Sequence, residues 1–393
     1  MIRSTAFAVA LGVMASSAQA DQVRAAVLRV DAPALPPISR LDARPDDLGF
    51  AGAMLATEDN ATTGRFMGQD FVTDTVAATP ETAADSLAAI LATGTRFIAV
   101  LADDATTLAL ADQAGVAAPD ALIFNARAGG DNLRNADCRA NVVHVAPSRA
   151  MRTDALAQFL MTKQWDQWVL MAGSHPADMA LADSYRRAAH KFNAEIVQER
   201  TFADTGGSRR SDTGHVQVQR QIPVDTQFGD DYDILIAADE TGVFGDFLSY
   251  RTWEARPVAG STGLRPLAWH AAMESWGATQ FQNRFERLAR RPMRDDDYLA
   301  WLSLRMLGEA ATRAHSTDPA QLRAFILGDQ FEVAGFKGEK LTLRDWDHQL
   351  RQPILLANDH VVVSVSPQEG YLHQVSQLDT LGTDRAESAC HLP

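Results

Sequence analysis

The fold is decided by the segment RFIAVLADDATTLALADQAGVAAPDALIF, residues 96–124. The run RFIAVL at Arg96–Leu101 is apolar after its first residue, which is typical of a buried strand. A helical pattern follows at Thr106–Ala114, and a second short apolar run, ALIF, occupies Ala121–Phe124. Strand, helix and strand in this order predict neighbouring parallel strands joined by a helix on one face of the sheet.

The same alternation extends from this segment and then begins again. Upstream, strand-like stretches at Val23–Val30 and Met67–Val76 alternate with helical ones at Asp46–Asn60 and Pro80–Thr93. Downstream, a second series is predicted at Asn141–Val145, Ser148–Lys163, Trp168–Met171, Ala177–Phe192, Glu195–Glu199, Tyr232–Ala237 and Pro257–Gly260. Two α/β units predict two lobes, each a mostly parallel sheet flanked by helices, with ligands beyond the carboxyl ends of the strands.

Three further features complete the predicted organisation. Ser148 is placed to cap the helix that it begins. Long helices at Thr279–Ala289 and Asp295–His315 precede a tail, Gly335–Val365, that is typical of antiparallel strands. The segment Phe202–Gln227 has few apolar residues and is interpreted as a long loop, either a mobile lid or a plain solvated connection.

The composition is that of a globular protein. The chain has 393 residues, of which 46% are hydrophobic, and 50 acidic against 36 basic residues give a net charge of −14. The length favours two or three domains. Because nucleic acid and anionic lipid are bound by clustered Lys and Arg, neither is an expected partner.

Residues 1–20 have the pattern of a secretory signal. Arg3 supplies the positive start, Ala6–Ala15 is a short apolar run, and Ala18–Ala20 is a small-residue cleavage pattern. We therefore expect cleavage after Ala20 and a protein in the periplasm, not embedded in the membrane, since no later stretch is long and apolar enough to span a bilayer.

The two cysteines, Cys138 and Cys390, are predicted to pair. In an exported chain an even number of cysteines more often forms disulfides than reactive thiols. Such a bond would tie the C-terminus to the middle of the chain.

Recognisable catalytic and metal-binding motifs are missing from the sequence. No G-x-G-x-x-G follows the first predicted strand, and neither a Walker A sequence nor H-E-x-x-H is present. The acidic run Asp295–Asp297 is interpreted as the opening of a helix, where negative charge offsets the macrodipole. With no nucleophile and base to name, we expect neither an enzyme nor a metal site.

Arginines and tryptophans supply the candidate binding groups. The stretch from Arg127 to Asp154 contains five Arg and three Asp, a local excess of positive charge that can concentrate an anionic ligand. Arg127, Arg149 and Arg152 are candidates for pairing with carboxylates, the alternative being ordinary surface ion pairs. Trp253, Trp269 and Trp276 are candidates for stacking on a planar ligand, the alternative being packing.

Several segments resemble the periplasmic binding proteins of branched-chain amino-acid type ABC transporters, and in particular the subfamily associated with PQQ-dependent alcohol dehydrogenase systems. The general resemblance is carried by DDLGFAGAMLATEDN and DYLAWLSLRMLGEAATR. The more specific segments are NVVHVAPSRAMRTDALAQFLMTKQW (141–165), ADETGVFGDFLSYRTWEARPVAGSTG (238–263), WHAAMESWGATQFQNRF (269–285), FKGEKLTLRDWDHQLRQPILL (336–356) and the region 363–390 with SVSPQEGYLHQ and LDTLGTD.

The resemblance implies a type I periplasmic binding fold with the ligand in a cleft between two lobes. Its expected divisions are the signal at 1–20, the first part of the N-terminal lobe at 21–146, the C-terminal lobe at 147–262, a return to the N-terminal lobe at 263–330, and a segment at 331–393 that packs on the C-terminal lobe and hinge. Ligand binding would close the hinge, and the closed form would dock on an ABC permease with its ATPase.

The ligand that the resemblance implies is pyrroloquinoline quinone (PQQ), bound but not used for chemistry. PQQ is a flat tricycle with three carboxylates, so its site should combine an aromatic face with arginines. By position within the fold, the expected ligand-binding residues are Asp104, Thr106, Asn125, Arg127, Ser148, Arg149, Arg152, His175, Glu240, Thr241, Trp253 and Trp269. Asp103 and Asp104 replace the small hydroxyl pair usual in amino-acid binders, and Arg127 replaces a small residue.

Two alternatives stay open at this point. The ligand could be another small metabolite of PQQ-linked alcohol oxidation. The protein could instead deliver cofactor to the PQQ-dependent alcohol dehydrogenase, which would then be its partner.

Overall fold

A computed structural model describes residues 21–35, 37, 43–204 and 218–392. The predicted signal at 1–20 and residues 205–217 of the predicted loop lie outside the described residues. Among the described residues, no helix is long and apolar enough to cross a membrane.

The N-terminal lobe is built on a five-stranded parallel sheet. The deciding segment forms the strand, helix and strand expected of it, and every residue of Phe97–Leu101 is buried. The strand order is β2-β1-β3-β4-β5. Its elements are β1 (Asp21–Val30), α1 (Phe50–Met67), β2 (Gln69–Ala78), α2 (Ala83–Ala92), β3 (Phe97–Leu101), α3 (Asp104–Ala117), β4 (Leu122–Asn125) and β5 (Val142–His144).

The C-terminal lobe is a four-stranded parallel sheet in the order β7-β6-β8-β9. Ser148 caps its first helix, because the Ser148 hydroxyl accepts a hydrogen bond from the Met151 amide. The elements are α4 (Arg149–Thr162), β6 (Gln167–Gly173), α5 (Pro176–Phe192), β7 (Glu195–Phe202), α6 (Val218–Asp225), β8 (Ile234–Ala238), α7 (Leu248–Arg251) and β9 (Val258–Gly260).

The interpretation of Phe202–Gln227 as one long loop is wrong at its C-terminal part, where α6 forms. Val218 and Ile222 lie one helical turn apart and both are buried in the core of the C-terminal lobe. This pair is enough to hold a short helix against the sheet even though Pro223 lies within it.

The chain then returns to the N-terminal lobe and ends in small antiparallel sheets. Helix α1 packs closely on helix α9 (Asp295–Ala314), where a Cβ added at Gly52 would lie 1.9 Å from the Asp297 carbonyl oxygen. The remaining elements are β10 (Arg265–Leu267), α8 (Ala278–Ala289), α9 (Asp295–Ala314), α10 (Pro319–Ile326), β11 (Val333–Ala334), β12 (Lys340–Leu341), β13 (Ile354–Ala357) and β14 (Val362–Ser366). Strands β10, β13 and β14 form one sheet, and β11 pairs with β12.

The C-terminal segment contributes to the cores of both lobes. Phe331, Leu341 and Leu350 are buried with the N-terminal lobe, whereas Ile354 and Leu381 are buried with the C-terminal lobe. The segment after 330 therefore crosses the hinge as well as packing on the C-terminal lobe.

A buried lysine lies where the chain crosses between the lobes. The Lys337 ammonium donates to Gln352 Oε1 at 2.6 Å and to the Pro353 carbonyl at 2.9 Å. Gln352 in turn donates to the Val145 carbonyl, which belongs to the crossover that leads into α4. Burial lowers the pKa of Lys337 to about 7, an effect that Asp295 opposes and Arg152 reinforces.

Replacing this lysine should remove a pH dependence of stability. Between pH 7 and about 10.4 the unfolded chain holds a proton that folded Lys337 has released, so the free energy of unfolding should rise with pH by up to about 1.4 kcal/mol per unit. Lys337→Met should lack this rise, which denaturant unfolding at several pH values would measure. Parallel pH profiles for the two proteins would contradict the assignment.

The predicted disulfide is confirmed. Cys138 and Cys390 are bonded, and their Cα atoms lie 5.7 Å apart across a sequence separation of 252 residues. Cys138 lies just before β5 in the N-terminal lobe, so the bond fixes the end of the tail to that lobe.

The disulfide should stabilise the fold strongly because it closes a long loop in the unfolded chain. The variant with both Cys138→Ser and Cys390→Ser should lose about 4 kcal/mol of unfolding free energy. Urea unfolding of the oxidised exported protein beside this variant measures the loss. If the two proteins unfold at the same urea concentration, the bond does not stabilise the fold.

Candidate interlobe binding site

The carboxyl ends of the two parallel sheets face each other across a cleft that contains two neighbouring cavities. The first, here called the crossover compartment, has a volume of about 370 Å³ and lies beside β10 and the start of α9. Its wall includes Arg152, Tyr185 and Ser261 from one lobe and Asp295 and Leu299 from the other. This volume lies within the range of about 300–1,000 Å³ that is usual for small-molecule sites.

The second cavity, here called the helix-end compartment, has a volume of about 500 Å³. It lies between the first turn of α3, with Asp103 and Asp104, and the first turn of α5, with Pro176 and Ala177. The two compartments share four residues in their walls: Arg127, Gly129, Arg149 and Glu240. An arginine and its carboxylate partner therefore stand at the boundary between them.

Arg149 joins the two lobes. Its Nε and Nη2 donate to the two carboxylate oxygens of Glu240, each at 2.7 Å, and its Nη1 donates to Asp104 Oδ2 at 2.7 Å. Asp104 belongs to the N-terminal lobe and Glu240 follows β8 in the C-terminal lobe. Burial works to lower the pKa of Arg149, but the two carboxylates outweigh it and raise that pKa above its usual value.

Arg127 is bound within the N-terminal lobe. Its Nε and Nη2 donate to Asp296 Oδ2 at 3.1 and 2.7 Å, and its Nη1 donates to the carbonyl oxygens of Leu101 and Val30 at the ends of β3 and β1. The side chain thus holds strand ends together as well as facing both compartments.

Arg152 makes a second link between the lobes, through Asp295. Its Nη2 donates to Asp295 Oδ2 at 3.0 Å, and its Nη1 donates to the Pro266 carbonyl at 3.0 Å. Asp295 also accepts hydrogen bonds from the Ala268 and Trp269 amides. The acidic run Asp295–Asp297 does open a helix, as expected. It also supplies hydrogen-bond partners to arginines of the cleft, a role that the sequence analysis did not predict.

Charges in the crossover compartment are matched. Its wall carries four arginines, the fourth being Arg265, and four carboxylates, those of Asp239, Glu240, Asp295 and Asp296. The local excess of positive charge seen in the sequence is thus cancelled by acids that arrive from distant parts of the chain.

Three of the expected binding residues form hydrogen bonds with other groups of the protein near the cleft. Asn125 is fully buried, where its amide donates to the Ala128 carbonyl and its oxygen accepts from the amides of Arg127 and Ala128. Ser148 is the helix cap, and Thr241 donates to Asp178 through its hydroxyl and its amide. Their polar groups are engaged by the chain itself, and their role in ligand binding stays a prediction.

Two more expected residues lie at the edge of the cleft. His175 begins α5, and its Nε2 lies 2.8 Å from Asp204 Oδ2, a hydrogen bond that raises the pKa of the imidazole. Thr106 lies in the first turn of α3, where its amide donates to Asp103. Neither side chain forms part of the wall of either compartment.

Two of the three tryptophans considered for stacking on a ligand, Trp269 and Trp253, lie elsewhere. Trp269 is 2% exposed, stacks on Tyr298 with ring centroids 4.9 Å apart, and donates through its indole N–H to Gln282. Trp253 is exposed, but its amide bonds to Thr226 just after α6, at the amino end of the sheet and away from the cleft. Both expectations are corrected: the first residue belongs to the core and the second to the opposite end of its lobe.

Solved structures share this architecture. A periplasmic binding protein from Burkholderia mallei is 14% identical and matches with a TM-score of 0.67 over 94% of this chain and 99% of its own. A Brucella ovis protein that binds leucine, isoleucine, valine, threonine and alanine is 13% identical, with a TM-score of 0.67 over 86% of this chain and 89% of its own. A solute-binding protein of an ABC transporter from R. palustris, solved with benzoate, is 12% identical, with a TM-score of 0.66 over 94% and 99%.

The chain has the type I periplasmic-binding-protein fold. At identities this low the likeness establishes the fold and leaves the ligand open. No protein-family model and no curated protein sequence matches the chain.

Within this fold, sequence reasoning missed several residues of the crossover compartment, among them Tyr185, Arg265, Asp296 and Leu299. Tyr185 and Leu299 lie on helices that pack on the sheets, so their spacing indicates only a core position. The acidic run Asp295–Asp297 was the one signal that could have predicted Asp296, because carboxylates are the usual partners of buried arginines.

Asp295 should matter more to stability than its neighbour Asp296. Both oxygens of Asp295 accept hydrogen bonds, whereas Asp296 accepts from Arg127 through one oxygen, which an amide can still provide. Asp295→Asn should lose about 2 kcal/mol and the matched Asp296→Asn less than about 1 kcal/mol. Denaturant unfolding measures both, and equal losses would contradict the larger contribution predicted for Asp295.

Proposed function

We propose that this protein is a periplasmic solute-binding protein that takes a small ligand into the interlobe cleft. The observation that carries the proposal is a pair of cavities between facing carboxyl ends of parallel strands, with walls contributed by both lobes. A ligand in contact with both walls would favour the closed arrangement over an open one, since it gains contacts only there. The proposal needs no catalysis.

The proposed ligand is PQQ. The support is chemical: three arginines, Arg127, Arg149 and Arg152, converge on the cleft, and guanidinium groups bind carboxylates in a bidentate manner. With Trp253 and Trp269 outside the cleft, the proposal rests on these cations and not on a tryptophan wall.

A tri-anionic ligand has to replace carboxylates that already hold the arginines. The partners of Arg149 are the most accessible of these, since the side chain of Glu240 is 40% exposed and that of Asp104 is 29% exposed. Once displaced, both carboxylates can regain water because they are partly exposed, while the ligand carboxylate takes their place at the buried guanidinium. Arg149 is therefore the arginine most ready to accept a ligand carboxylate.

The proposed partners follow from this function. The closed protein would dock on an ABC permease with its ATPase, and the predicted signal at 1–20 would place it in the periplasm. The matched charge of the cleft also suits a smaller mono-anion, so another small metabolite of PQQ-linked alcohol oxidation is the second candidate.

The test is a titration of the exported protein with PQQ, followed by calorimetry and by quinone absorbance. One-to-one saturation is expected, and Arg149→Met should weaken binding at least tenfold because it removes charge-assisted hydrogen bonds. The matched control is Arg256→Met, which removes an arginine paired with Asp231 away from both compartments.

The trimethyl ester of PQQ separates charge pairing from shape. Arg149→Met should affect this uncharged analogue much less than PQQ. If both ligands weaken equally, the pairing of charges is disproved, and if wild type does not bind PQQ at high micromolar concentration, PQQ is not the ligand.

A further inference from the structure

Tyr185 is an aromatic residue of the cleft whose hydroxyl the described part of the chain leaves without a hydrogen-bond partner. Its ring is 2% exposed and packs in the core of the C-terminal lobe, while the side chain forms part of the wall of the crossover compartment. The hydroxyl of Tyr232 is buried with no hydrogen-bond partner among the described residues, whereas that of Tyr185 retains contact with the cavity. Buried phenols normally find a partner, so a free one on a cavity wall marks a place where a ligand supplies it.

The phenol is a donor at any physiological pH. Burial raises the pKa of Tyr185, and the nearby Arg152 lowers it by less, so the hydroxyl keeps its proton. A neutral donor recognises an acceptor oxygen without adding charge to a compartment whose charges are already matched.

The surroundings of the hydroxyl define what can lie against it. Leu181, one turn earlier in α5, and Leu299 on α9 supply apolar surface from opposite lobes. Pro266 and Leu267 complete an apolar slot at the crossover. The guanidinium of Arg149 stands on the boundary with the helix-end compartment.

We infer that Tyr185 determines ligand specificity by donating a hydrogen bond to a carbonyl or carboxylate oxygen on the body of the ligand. The ligand class is a flat aromatic acid: its ring body lies between Leu181 and Leu299, an acceptor oxygen meets Tyr185, and a carboxylate meets Arg149. The inference rests on the proposed solute-binding function and deepens it, since it assigns the crossover compartment to the body of the ligand. PQQ and simple aromatic acids both belong to this class.

The test compares Tyr185→Phe with the matched control Tyr232→Phe. Each variant removes one phenol oxygen that has no hydrogen-bond partner in the described part of the chain, one beside the cleft and one away from it. Neither should lower the melting temperature, because no protein hydrogen bond is lost. Tyr185→Phe should weaken PQQ binding about tenfold, whereas Tyr232→Phe should bind PQQ as wild type does.

Three other outcomes of this comparison are possible, and each would contradict a different part of the proposal. A lower melting temperature for Tyr185→Phe alone would mean that the hydroxyl is held by the protein. Unchanged PQQ affinity in Tyr185→Phe would overturn its role in specificity while leaving the function standing. If wild type does not bind PQQ, that ligand is discarded and the pair is titrated with benzoate: weaker binding by Tyr185→Phe keeps the inference, and equal or absent binding overturns it.

Discussion

The cleft depends on one physical constraint: a guanidinium withdrawn from water needs carboxylates or carbonyl oxygens around it. Arg149 meets this constraint by taking one acid from each lobe, Asp104 and Glu240, and its side chain is only 11% exposed. Arg152 meets it across the lobes through Asp295. The arrangement of the lobes and the charge of the site are therefore set by the same contacts, since separating the lobes would leave these partners unpaired.

The sequence predicted the fold well because the fold rests on local patterns. Short apolar runs such as Phe97–Leu101, set between helical patterns, favour buried strands, and the Ser148 cap is defined by residues that are close in the chain. Prediction failed where structure depends on distant contacts. Helix α6 forms because two residues, Val218 and Ile222, find the core of the C-terminal lobe, and a stretch so polar gives no periodic signal of this.

The binding site was harder to predict than the fold, because it also depends on contacts between residues that are distant in the chain. A local excess of arginine pointed to Arg127, Arg149 and Arg152, and all three do line the cleft. Their acids could not be assigned, because Asp296 lies 169 residues from Arg127. Trp269 was named as a stacking candidate with packing as the alternative, and the structure buries its ring against Tyr298. The presence of an aromatic residue is therefore a weak predictor of ligand contact in this chain.

Because the arginines of the cleft are already paired with carboxylates, an anionic ligand has to compete with the protein's own acidic side chains. A ligand carboxylate that pairs with an arginine gains no more than the difference between its own contact and the one that it displaces. That difference favours the ligand most at Arg149, where Glu240 and Asp104 can regain water, and least at Arg152, where Asp295 also holds the Ala268 and Trp269 amides. Anion binding should accordingly loosen the link through Arg149 while the link through Asp295 persists, so the hinge stays joined at the crossover as the cleft admits its ligand.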